Sequence, residues 1–273
     1  MTTSHPSLRE IFRVKPGSRI RLAGIDPSDS HGYTKETAKP ELEKGLARLT
    51  DLQDRLWAEA KHPVLIVLQG IDAAGKDGSV KHVMGAFNPM GCSVTSFKVP
   101  TPIEASHDYL WRVHQRTPAK GEIAIFNRSH YEDVLVVRVH DLVPKQVWER
   151  RFDHINAFEK LLVDEGTTIL KFLLLIDRDE QKARLQERVQ NPRKNWKFRL
   201  GDLEERKLWD DYMTAYEDVL RRCSTDAAPW YVIPANRNWF RNLAIAQILA
   251  DTLDDLKLVY PKPTEDLSQV VVV

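Results

Sequence analysis

Ten residues, GIDAAGKDGS at positions 70–79, carry the most specific chemical pattern in the chain. Gly70, four residues, then Gly75 and Lys76 is the spacing of a phosphate-binding loop. Glycines there let backbone N–H groups turn inward on phosphate oxygens, and the lysine adds a point charge. The phosphate-binding set is thus Gly70, Ala73, Ala74, Gly75 and Lys76. The next position ordinarily holds a Ser or Thr whose hydroxyl ligates magnesium, but here it is Asp77, and a second carboxylate, Asp72, lies inside the loop. A carboxylate beside a polyphosphate is repulsive unless a divalent cation lies between them. Magnesium is commonly held by one or two carboxylates together with substrate phosphates. Asp72 and Asp77 are therefore metal candidates. Two other roles stay open: Asp72 can orient the attacking group, and Asp77 can cap the following helix.

A second polar cluster, FNRSHYEDV at 126–134, follows an apolar run that reads as a buried strand. Residues just beyond the carboxyl ends of parallel strands line the ligand crevice of an open α/β sheet. Asn127, Arg128, Glu132 and Asp133 are accordingly site candidates, with Arg128 suited to a forked phosphate contact. In many phosphate-loop enzymes a strand-end Asp at this point holds magnesium, and Asn127 stands in its place. A third cluster, 177–198, concentrates Arg178, Lys182, Arg184, Arg188, Arg193, Lys194 and Lys197 in a chain otherwise balanced in charge. Arg184 and Arg188 fall one helical turn apart. Such a segment can act as a mobile lid that neutralises phosphate charge and expels water.

The elements that must position these groups alternate in type. Apolar residues at helical spacing predict a helix over 39–61. A short apolar run over 63–70 predicts a buried strand leading into the glycine loop, and 79–87 continues it as a helix. Further strands are expected over 93–100, 122–126, 168–177 and 229–235. Helices are expected over 107–118 and 143–166, as a long basic stretch from 178 to about 222, and over 242–259. Alternation of this kind predicts a three-layer α/β/α fold with a mainly parallel sheet of about five strands. Residues 1–38 read as an arm over the domain surface, 39–260 as the domain with a lid at about 178–210, and 261–273 as a tail. The closing VVVV is open between edge strand and frayed end.

Composition excludes more than it assigns. The 273 residues carry a formal net charge of +1, so nothing global attracts nucleic acid or a membrane surface. Two cysteines, Cys92 and Cys223, fit free thiols in a reducing cytoplasm. No segment resembles a signal peptide or a membrane span. The histidines lack zinc-ligand spacing, and the tryptophans read as packing residues.

Taken in order, GIDAAGKDG, FNRSHYEDV, NWKF, LWDDYMTAYEDVL and APWYVIPAN resemble the family 2 polyphosphate kinases over roughly residues 35–250. The resemblance implies a thymidylate-kinase-like phosphate-loop fold with a helical lid. It also implies phosphoryl transfer between inorganic polyphosphate and a nucleotide, dependent on Mg²⁺ with Mn²⁺ as an alternative. Asp72, Lys76 and Asp77 match family positions that handle metal and phosphate, Asn127, Arg128, Glu132 and Asp133 match site positions, and Arg184 matches a lid arginine. This makes Asp72, Lys76, Arg128 and Arg184 the catalytic candidates, adds Lys81 and Arg188 to the phosphate contacts, gives nucleotide binding to Asn127, Arg128, Glu132 and Asp133, and makes Asp133 a third metal candidate. NRSHYED, in place of the DRSWYN of the branch acting mainly on nucleoside diphosphates, resembles the branch that accepts both AMP and ADP. Adenine nucleotides, with guanine as an alternative, and a homo-oligomeric state complete the expectation. The competing readings are an ATP-using nucleoside monophosphate kinase and a non-catalytic nucleotide-binding regulator.

Overall fold

The computed structural model describes residues 7–268 and 270–272. Residues 1–6 of the expected arm, and Gln269 and Val273 of the tail, lie outside them. Among the described residues, five strands form one sheet: β1 (Val64–Gln69), β2 (Cys92–Ser96), β3 (Ile123–Asn127), β4 (Thr168–Leu175) and β5 (Trp230–Pro234). Their order is β2-β3-β1-β4-β5, and every pairing is parallel. The central strand β1 is buried along its whole length. That explains its unbroken VLIVL run, since strands covered on both faces need no polar alternation.

Helices α1 (Leu8–Phe12), α2 (Lys35–Glu59) and α3 (Lys76–His82) come first, then the short α4 (Pro102–Ala105), α5 (Trp111–His114) and α6 (Val136–Val139). The remainder are α7 (Lys145–Asp164), α8 (Arg178–Gln190), α9 (Gly201–Lys207), α10 (Trp209–Cys223) and α11 (Asn238–Asp255). Helix α11 packs on α2, α3 and α1, whereas α6, α7 and α10 pack on one another. Neighbouring residues of β5 show that these groups cover opposite faces. Trp230 lies by Lys171, which bonds to α7 and α10, while Tyr231 meets Arg9 of α1. The expected three layers are present.

Several boundaries differ from the sequence expectation for local reasons. Helix α2 begins at Lys35, four residues before the expected start, because Thr34 and Thr37 cap it reciprocally. Pro40 is tolerated near its start. The segment 107–118 holds only one helical turn, α5. The basic stretch after β4 is not one helix. It breaks after Gln190 at Asn191-Pro192, passes through a 3₁₀ turn at Asn195–Lys197, and resumes as α9 and α10. The described part of the arm buries Leu8, Phe12, Val14, Leu22 and Tyr33 in the hydrophobic core. The backbone N–H of Val14 donates to Trp230 O at 2.8 Å, that of Asn236 to Pro27 O at 3.1 Å, and that of Leu22 to Glu217 Oε1 at 2.8 Å. It thereby covers the exposed edge of β5. Val270–Val272 form no strand. No helix among the described residues is long and apolar enough to cross a membrane.

Behind the second motif sits a buried polar cluster. Lys171 of β4 donates to Glu159 Oε2 of α7 at 2.5 Å, to Tyr131 OH at 2.9 Å and to Cys223 O at 2.7 Å. Tyr131 OH donates to Glu159 Oε1 at 2.8 Å, and His130 Nε2 lies 3.2 Å from the same oxygen. This network clamps the 3₁₀ turn His130–Asp133 to the sheet. Removing one partner strands a buried charge, so Glu159→Leu is expected to lower unfolding free energy by roughly 3–5 kcal/mol. Equilibrium urea denaturation checks this value.

Candidate active site

Strand β1 leads toward β2 at one edge, while its neighbour β3 leads to β4 on the other side. Their connections diverge, which opens a crevice at their carboxyl ends. The glycine loop follows β1 at this point, and Asn127 and Arg128 follow β3. Gly70, Ala73 and Gly75 have φ of 152°, 66° and 106°. The Gly75 value is left-handed, and a Cβ there would collide with the Arg241 guanidinium. Glycine is therefore required on both grounds. Ala73 and Arg128 (φ 64°) adopt left-handed geometry with a side chain, a strain of order 1–3 kcal/mol each that the surroundings must hold.

Lys76 is buried at the first position of α3 and donates to Gly70 O at 2.5 Å and Ile71 O at 3.3 Å. Burial, followed by the neighbouring Arg128 charge, pulls its ammonium down to about 8, against the attraction of Asp72, Glu132 and Asp77. Arg128 bridges the two motifs, with Nη2 2.6 Å from Asp72 Oδ1 and Nη1 3.7 Å from Glu132 Oε2. Burial lowers the affinity of Arg128 for its proton, but Glu132 and Asp72 more than reverse this. Burial raises the Glu132 carboxyl, only partly offset by Arg128. Asp77 is not the helix cap: Gly75 occupies that position, and Asp77 lies in the first turn of α3. Its Oδ1 accepts from Asn127 Nδ2 at 2.9 Å, and its Oδ2 lies 3.4 Å from Lys197 Nζ of the 3₁₀ turn Asn195–Lys197. Burial pushes the Asp77 carboxyl up, but Asn127 and Lys197 together hold it below the usual value.

Asp72, Lys76, Asp77, Asn127, Arg128 and Glu132 thus share one crevice. Asp133 does not join it, pairing instead with Arg151 at 2.8 Å on the α7 side. Burial, opposed by Arg151, raises the Asp133 carboxyl to about 6. Lys81 sits exposed in the last turn of α3, and Arg188 reaches Asp202 of α9 at 3.4 Å. Arg184 has an unexpected position. Its Nη1 donates to Ala73 O and Ala74 O at 2.9 and 3.1 Å, and its Nη2 donates to Ala235 O and Asn236 O at 2.7 and 2.9 Å. Its Nε donates to Glu180 at 2.7 Å. All five guanidinium donors are therefore used. Gln181, one turn earlier, donates to Asp72 O at 3.1 Å. The start of α8 consequently braces the phosphate loop from behind.

Three participants escaped the sequence reading: Gln181, Arg241 and Tyr216, whose hydroxyl meets the Gly70 backbone. Each left a signal: Gln181 and Arg241 follow the ends of strands, where crevice residues collect, and Tyr216 lies in LWDDYMTAYEDVL.

With this geometry in view, the family model for polyphosphate kinase 2 matches residues 32–260. The chain belongs to the polyphosphate kinase 2 family. It is 55% identical to the AMP/ADP-polyphosphate phosphotransferase of Meiothermus ruber, over 96% of this chain and 98% of that one. It is 42% identical to the ADP-polyphosphate phosphotransferase of Rhodopseudomonas palustris, over 93% and 92%. Among solved structures, polyphosphate kinase 2 from Arthrobacter aurescens superposes with a TM-score of 0.92 at 46% identity, covering 96% and 94% of the two chains.

Arg184→Ala leaves four main-chain carbonyls without their donor. We expect kcat/KM to fall about 10²-fold, an effect of about 2.7 kcal/mol, with faster amide hydrogen exchange at residues 72–75. Steady-state kinetics and exchange mass spectrometry check the two effects.

Proposed function

We propose that the chain transfers a phosphoryl group from inorganic polyphosphate to AMP and to ADP, forming ADP and ATP reversibly. The observation that carries this reading is the Asp72–Arg128–Glu132 bridge. It joins the phosphate loop to an NRSHYED motif at the point where two polyanions would have to meet. The names and identities of the Meiothermus ruber and Rhodopseudomonas palustris relatives support it.

An oxygen of the acceptor's terminal phosphate attacks the terminal phosphorus of polyphosphate. The bond from that phosphorus to the bridging oxygen breaks, and the chain leaves one phosphate shorter, carrying the bonding electron pair. No proton is required, so alignment and charge neutralisation account for catalysis. The loop N–H groups and Lys76 hold the donor phosphates. Arg128, now shared by two carboxylates, can give those contacts up for phosphate oxygens in a forked contact.

Asp72 and Asp77 are the carboxylates that would hold a divalent cation with substrate phosphates, although among the described residues no three Asp, Glu, His or Cys side chains gather into a metal cluster. Asp72 and Asp77 both lie close enough to Lys76 to act on its charge, and two carboxylates plus phosphate oxygens suit magnesium. Asp133 is the weaker metal candidate because it pairs with Arg151 on the α7 side, away from Asp72 and Asp77. When bound, Mg²⁺ would neutralise charge between the carboxylates and the phosphates, and Mn²⁺ is the alternative occupant. A homo-oligomer in the cytoplasm completes the proposal, supported by the family resemblance and by the two free thiols.

Incubation of the chain with polyphosphate as sole donor is expected to give ADP and ATP from AMP, and ATP from ADP. No product from either acceptor would refute the reading, and GMP and GDP as acceptors measure base selectivity. Chelation by EDTA is expected to abolish turnover and added Mg²⁺ to restore it. Glu132→Asn is expected to raise KM for AMP more than KM for ADP, and equal effects would remove Glu132 from acceptor selection.

A further inference from the structure

Arg241, on the first turn of α11, is 2% exposed, yet none of its hydrogen bonds goes to a carboxylate. Its Nη1 donates to Asn238 Oδ1 at 2.7 Å, and its Nε and Nη2 donate to Asn242 Oδ1 at 3.2 and 2.8 Å. Both acceptors are neutral amides, and the nearest charge acting on it is another cation, Arg184. A buried charge is ordinarily paired, because leaving it unpaired is costly. Burial, with Arg184 beside it, accordingly pulls the guanidinium down to about 10.

The donor count shows where the unmet demand points. Three of the five N–H groups are used, leaving one on Nη1 and one on Nη2. Those two nitrogens face the phosphate loop. A Cβ on Gly75 would strike Nη1, and a Cβ on Gly78 would lie 2.9 Å from Nη2. Two glycines are thus needed for the guanidinium to approach the backbone this closely.

On the polyphosphate-kinase reading, we infer that Arg241 is a positioning residue for the polyphosphate donor. Its buried charge seats Gly75 and Gly78 in the phosphate-binding turn and is neutralised only when the polyanion arrives. The free protein therefore carries a charge imbalance that donor binding relieves. The nucleotide acceptor, held by residues at the end of β3, depends on it far less.

Asn242→Asp tests this with almost no change of shape, since it sets a carboxylate against Nε and Nη2. We expect the free variant to melt higher than wild type, but tripolyphosphate to raise its melting temperature less. KM for polyphosphate should rise about tenfold or more, with KM for ADP within about twofold. An unchanged tripolyphosphate shift with unchanged KM for polyphosphate, or equal rises in both KM values, would overturn the inference. Arg241→Lys and Arg241→Gln give an independent comparison. The lysine variant, which keeps the charge, should retain a KM for polyphosphate several-fold lower than the glutamine variant. Equal values for the two would also overturn the inference. Failure of the wild type to use polyphosphate at all would instead sink the functional reading, and the melting shifts would still decide the role of Arg241.

Discussion

The phosphate loop keeps its shape because four main-chain carbonyls converge on one guanidinium. Arg184 draws together Ala73 and Ala74 of the loop with Ala235 and Asn236 beyond β5. It thereby connects the two strands β1 and β5 at the end of the sheet where the crevice opens. A loop with φ of 66° at Ala73 stores strain, and a strained turn persists only when its surroundings over-determine it. Arg184 and Gln181 supply that restraint from two positions on α8. Preorganisation of this sort matters most where catalysis consists of alignment and electrostatics.

The charges on the crevice side are organised differently. Arg128, Lys76, Asp72, Asp77 and Glu132 have partners in the free state, but the partners are near neighbours that can be exchanged. Lys76 rests on loop carbonyls, Arg128 on two carboxylates, and Asp77 on Asn127 and Lys197. Incoming phosphates and a cation would redistribute these contacts without moving the sheet. The rigid brace behind the loop and the exchangeable pairs before it are two halves of one arrangement.

Much of this was legible in the chain. The strand, glycine loop and helix order gave the crevice. The apolar VLIVL and ILKFLLL runs gave the buried parallel strands, and FNRSHYEDV gave the second wall. What was not legible depends on contacts between distant segments. Asp133 is one residue from Glu132, yet the 3₁₀ turn points it to Arg151 on α7 and leaves Glu132 beside Arg128. Arg184 reads as a lid cation from its basic surroundings, and only its position under Ala73 and Ala74 reveals the brace. Arg241 is separated from Gly75 by most of the domain in sequence, and α11 packing on α3 brings them together. The break in the basic stretch was visible at Asn191-Pro192, but not that α8 before it would be fixed to the loop.

The central claim is that the loop around Lys76 is the seat of the polyphosphate donor. Calorimetric titration of tripolyphosphate into the nucleotide-free protein tests it most directly. The account predicts one site per chain in the wild type and loss of that binding in Lys76→Met, with the fold retained. Equal binding by wild type and Lys76→Met would contradict it.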